Sequence, residues 1–137
     1  MGAPDLEPPC KPRLASAHCL IGECLRRTGR LDEAVLELQT ALRIAVEAED
    51  RQLWPELLDE LAAIAIRRKD VSSAGRLLGA AERLREAMDI PVWDPADLDQ
   101  TVGMLRSAIG GNSWENEAEI GRTAPDGEIL ALAASIH

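Results

Sequence analysis

The chain has no phenylalanine and no tyrosine, and its aromatic residues are three tryptophans. A core so short of aromatics must be filled by Leu, Ile, Val and Ala, a set that suits helices better than sheets. No run of about 18 apolar residues occurs, and no charged-then-apolar leader follows Met1, so neither a membrane span nor a signal peptide is expected. Cysteine is sparse: Cys10, Cys19 and Cys24 form no C-x-x-C pair. Their odd number argues against a secreted disulfide framework and points to the reducing cytoplasm. Positive charge is also short, with 15 Lys and Arg against 24 Asp and Glu. The deficit is concentrated late in the chain, where residues 82–137 carry 4 basic and 11 acidic side chains. Phosphate backbones repel such a chain, so direct nucleic-acid binding is not expected.

The 137 residues, 46% of them hydrophobic, are enough for one domain with a real core. Residues 1–13, "MGAPDLEPPCKPR", hold four of the eight prolines and read as a flexible N-terminal segment unable to keep a regular helix. From Leu14 the apolar residues fall three and four apart up to Thr28-Gly29, where glycine stops the helix. A second helix follows from Leu31, and the turn between them allows only an antiparallel hairpin, at about 14–49. Shifting the sequence by 40 residues then places Gly22 on Ala62, Ala34 on Ala74, Leu38 on Leu78 and Ala41 on Ala81. The second hairpin spans about 54–88, with Pro55 in a first turn and its second helix over Val71–Met88. An internal period of this length marks a helical repeat.

Three shorter helices are expected to form a cap at about 94–136. Asp94-Pro95-Ala96-Asp97 reads as an N-cap, a first-turn proline and an acidic third position, followed by a stripe ending at Ile109. A helix around Trp114–Ile120 should stop at Gly121, and Thr123–Asp126 should cap a last helix. The cap is expected to cover the open end of the stack, with Trp93 and Trp114 sealing it. Gly75 and Gly79, interior to a helix, each cost about 1 kcal/mol relative to alanine. Four residues apart on one face, they predict close approach of the Asp94–Ile109 helix or its neighbour.

The repeated small, alanine, large apolar and alanine positions, Gly22/Ala34/Leu38/Ala41 and Ala62/Ala74/Leu78/Ala81, resemble the tetratricopeptide repeat (TPR). The usual aromatics are replaced by His18 or Leu58 and by Leu25 or Ala65, and the usual proline by Val46 or Glu86, so the helices should run longer. The second half, "RLLGAAERLREAM", "LRSAIGGNSW" and "GRTAPDGEILALA", is similar to the C-terminal end of the repeat arm in bacterial signal-transduction ATPases, including LuxR-type regulators. That resemblance implies an all-α, right-handed helical-hairpin superhelix over residues 14–136, with protein or peptide binding and a place in signal transduction and transcription regulation. The chain lacks a G-x-x-x-x-G-K-[ST] loop and a basic recognition helix, so ATP hydrolysis and DNA binding are not assigned to these residues.

By the same resemblance, the first helices would line a concave, partner-binding face with Ser16, Cys19, Glu23, Arg26, Arg27, Glu56, Asp59, Ala63 and Arg67. Two charge clusters stand out there, Arg26/Arg27 with Arg67/Arg68, and Glu56/Asp59/Glu60. Such a groove selects a peptide or a neighbouring domain by charge complementarity. His18, Cys19 and Cys24 do not converge on a metal, because adjacent helical residues diverge by about 100°. No cofactor and no catalytic constellation is expected. A two-hairpin stack leaves its N-terminal face apolar, which makes upstream repeats or a second copy of the chain a candidate cover; a free-standing scaffold or dimerisation adaptor is the alternative function.

Overall fold

A computed structural model describes residues 10–137. Seven α-helices occupy these residues, and no strand is present among them: α1 (Cys10–Arg27), α2 (Leu31–Glu47), α3 (Trp54–Arg67), α4 (Val71–Met88), α5 (Pro95–Ile109), α6 (Gly111–Thr123) and α7 (Asp126–Ser135). A single 3-10 turn, Arg51–Leu53, leads into α3. Of the described helices, none is long and apolar enough to cross a membrane. The expected flexible segment 1–13 overlaps α1, which already includes Cys10–Arg13: Pro12 stands in the first turn, where its missing N–H has no helical partner to lose. Residues 1–9 lie outside the described part.

One turn is used repeatedly. Gly29 ends α1 with φ +83°, and Glu49, Lys69 and Asp89 follow α2, α3 and α4 with φ of 56°, 66° and 54°. After each, the next amide donates back into the helix: Arg30 to the Leu25 carbonyl, Asp50 to Ala45 and Asp70 to Ala65 at 2.8 Å, and Ile90 to Arg85 at 3.0 Å. This is the left-handed C-terminal cap that reverses a helix within a few residues. Its recurrence every 20 residues is the backbone counterpart of the 40-residue sequence period. Only the first uses glycine; the other three hold a side chain in a conformation that costs about 1–2 kcal/mol.

α1 packs antiparallel on α2, and α3 on α4. Gly22 is buried where a Cβ would lie 2.6 Å from Leu38 Cγ, which explains the small residue opposite a large one. α3 is the centre of the molecule: every residue from Leu57 to Ile66 except Asp59 is buried, against neighbours from α1, α2, α4 and α5. Asp94 caps α5 by accepting from the Asp97 amide at 3.2 Å, as its sequence predicts.

The cap departs from expectation in three ways. First, α6 does not stop at Gly121 but runs from Gly111 to Thr123, ending where Pro125 forces Ala124 into an extended conformation. Gly121 is instead a packing residue: its Cβ would lie 1.9 Å from the Arg76 carbonyl oxygen, and that of Gly79 would lie 1.9 Å from the Ala118 carbonyl oxygen. The glycines of α4 therefore receive α6, the neighbour of the Asp94–Ile109 helix: Gly79 with backbone on backbone, and Gly75 against the Glu117 side chain, whose Cβ would lie 2.7 Å from an added one. Second, α7 does not lie over the end of the stack. It packs against α4, and its C-terminal end reaches α2, where Gln39 Nε2 donates to the carbonyls of Ala133, Ala134 and Ile136 at 3.3, 3.0 and 2.8 Å and so closes the end of α7. Third, Trp114 is buried, but Trp93 is 70% exposed and seals nothing.

Candidate interaction surface

The expected concave face is occupied by the chain itself. Arg26, on the side of α1 that faces α3, is only 6% exposed. Its guanidinium grips Glu60 of α3 with two bonds, Nε to Oε2 at 2.5 Å and Nη2 to Oε1 at 3.2 Å, while Nη2 also donates to Asp97 Oδ2 of α5 at 2.6 Å. The next residue, Arg27, reaches outward to Glu23 and Asp94, both at 2.8 Å. On the other side Arg85 of α4 pairs with Asp59 of α3. Arg26 of one charge cluster is therefore joined to Glu60 of the other, and α5 is drawn into the contact through its N-terminal turn.

Burial and charge raise the three carboxyls of α3. The Asp59 carboxyl is pushed up to about 7, chiefly by burial, with Glu60 and Glu56 adding repulsion and Arg85 opposing both. Burial also raises Glu56, reinforced by Glu23 and Glu60, and raises Glu60 against the pull of Arg26. The Cys19 thiol is raised by burial and by Glu56, Glu60 and Glu23, so it stays protonated. Asp94 goes the other way, because Arg27 and the Asp97 amide hydrogen-bond to its carboxylate. Carboxylates outnumber guanidinium groups around this network, and the space left among them is about 20 Å³, room for about one water.

The nine residues expected on the face divide accordingly. Ser16, Arg27 and Arg67 are exposed; Glu23, Glu56 and Asp59 are half-buried; Cys19, Arg26 and Ala63 are buried, so they do not lie on an open surface. Arg67 does not join Arg26 and Arg27, and its neighbour Arg68 pairs with Asp32 of α2. Asp94, Asp97 and Arg85 belong to the site but were not among those nine. The signal for the two aspartates was present in the capping sequence, because an N-cap carboxylate has a second oxygen: Asp94 Oδ1 accepts from the Asp97 amide while Oδ2 takes Arg27.

α5 is held lightly. Only Thr101 and Leu105 are buried along it, and its N-terminal turn is fixed by the ion pairs just described. Ser16, Arg27 and Arg67 are exposed as they stand. Among the described residues no group of three or more His, Cys, Asp or Glu is placed to hold a metal ion. No family model, no curated protein and no solved structure matches this chain.

Proposed function

We propose that the chain is a non-catalytic protein-interaction and sensor module, a right-handed array of tetratricopeptide-like hairpins resembling the repeat arm of bacterial signal-transduction ATPases and LuxR-type transcription regulators. The observation that carries this reading is the equivalence of the two hairpins. Gly22, Ala34, Leu38 and Ala41 are all buried, and so are Ala62, Ala74, Leu78 and Ala81, each set 40 residues from the other. The same left-handed turn joins the helices in both.

The interaction surface in this reading is the charged face formed by α1 and α3, with α5 as an ionic latch across it. A protein or peptide of suitable charge competes with α5 for Arg27 and the acidic groups around it, and the displaced α5 transmits the event to α6 and α4. Purification of the tagged chain from its own cells tests this. A stoichiometric protein partner should accompany the wild type and be lost from Ser16→Arg and Arg27→Glu, both exposed changes. Retention of the same partner by both variants, or no partner at all, would overturn the assignment.

A second reading, a self-associating scaffold, is favoured by Leu20, Ile21 and Leu36, which are 50%, 46% and 66% exposed on the first hairpin. It predicts a dimer in light scattering that Ile21→Glu converts to monomer.

A further inference from the structure

The C-terminal part of α4, the connector 89–94 and α5 enclose a second space, a pocket of about 450 Å³ whose apolar lining includes Leu78, Ile90, Leu98 and Val102. That volume suits a small ligand or one long side chain. Its polar lining is unbalanced: Asp59, Glu82, Glu86 and Asp89 against Arg85 alone. Arg85 is already committed to Asp59, and Glu82 to Arg122 at 2.8 Å. Glu86 and Asp89 make no ion pair among the described residues, and both sit at the end of α4, where the helix dipole adds its negative pole. Asp59 supplies a further demand: Arg85 takes its Oδ2, while Oδ1 is buried without a hydrogen-bond partner. A buried acceptor left unpaired is destabilising, and an N–H donor that reached it would relieve that penalty.

We propose that this pocket binds a primary ammonium group on an unbranched aliphatic stem, the stem lying on Leu78, Leu98 and Val102 and the ammonium among Asp59, Glu86 and Asp89. The compact ammonium is preferred to a guanidinium because Asp59 offers one oxygen rather than two, so the bidentate pairing that favours arginine is not open to it. A free alkylamine and the lysine side chain of a partner share this chemistry. The site does not depend on the α1–α3 face being a protein-binding surface, and it is tested with the isolated chain and small probes.

The probe is n-pentylammonium, titrated to about 50 mM into the isotopically labelled chain at near-neutral pH and physiological salt, with 1-pentanol and pentanoate as controls. The expected strength is about millimolar, well inside the ceiling for a ligand of this size. Pentylammonium should give saturable amide shifts confined to the pocket lining, around Asp59, around Leu78 and over residues 85–102, with pentanol about tenfold weaker and pentanoate without effect. Glu86→Gln and Asp89→Asn, conservative changes at exposed positions, should each weaken binding about threefold without altering the rest of the spectrum. Equal binding of pentanol, unsaturating shifts spread over the acidic surface, no saturable shift, or no response to either substitution would each overturn the proposal. Nα-acetyl-lysine methylamide separates the sources: affinity equal to that of pentylammonium supports a partner's lysine as ligand, and affinity for pentylammonium alone supports a free amine.

Discussion

Replacing Gly79 by alanine separates two opposite expectations. In an unobstructed helix interior the change is stabilising by about 1 kcal/mol, because glycine is the poorer helix former. At Gly79 the added Cβ would stand 1.9 Å from the carbonyl oxygen of Ala118 and 2.7 Å from its carbon, whereas ordinary contact begins near 3.4 Å. The obstacle is backbone rather than a flexible side chain, so α6 as a whole must retreat by more than an ångström. Overpacking of that kind typically costs about 1–3 kcal/mol, and here it also separates Glu117 and Ala118 from α4. The overpacking cost less the propensity gain leaves a net loss of up to about 2 kcal/mol in urea unfolding followed by helical circular dichroism, with Gly121→Ala behaving alike against the Arg76 carbonyl. Gly103 is the control: it lies inside α5 with nothing within 4 Å of its Cβ direction, so Gly103→Ala should gain up to about 1 kcal/mol. A Gly79→Ala protein as stable as Gly103→Ala would refute the close crossing of α4 and α6.

Arg26→Ala strands the buried Glu60 and should cost about 3–5 kcal/mol, whereas Arg27→Ala, removing an exposed arginine, should cost less than about 1 kcal/mol in the same urea assay. Glu49→Gly and Lys69→Gly should each raise stability by up to about 1 kcal/mol, since glycine tolerates the positive φ that these side chains oppose. Gln39→Ala removes the donor that closes α7, so hydrogen exchange should accelerate about tenfold at the end of α7 while α3 is unchanged. For Asp59 the folded carboxyl titrates near 7 against an ordinary 3.8, so the folded state holds more protons between those values. That contribution to stability is present in full at low pH and lost as pH rises through about 7; urea midpoints near pH 4.5 and pH 8 should reveal the decline, and Asp59→Asn should flatten it.

Much of the helix plan was legible because its signals are local. The bounds of α4 follow from the apolar spacing between Val71 and Met88, and the start of α5 from the capping sequence at Asp94. The turns after α2, α3 and α4 were less so, since glutamate, lysine and aspartate do not advertise a left-handed conformation as Gly29 does. Gly121 misled for the converse reason. A glycine near a helix end reads as a stop, and only the approach of Arg76 from α4 reveals it as a contact. The site was harder still. Arg26 reads as a surface charge in its own helix, and its burial depends on Glu60 and Asp97, which lie 34 and 71 residues away and are brought to it by two other helices. Trp93 misled because its apolar ring suggested burial, whereas the connector before α5 leaves it in solvent.

The central claim, that the α1–α3 face receives a partner, is tested most directly by placing a photo-crosslinking residue at Ser16, at Arg67 and, as a control on the far side, at Glu128 of α7 in the protein's own cells. All three positions are exposed. The account predicts one discrete protein adduct, the same from Ser16 and from Arg67, and none from Glu128. Identical adducts from all three positions, or none from Ser16 and Arg67, would contradict it.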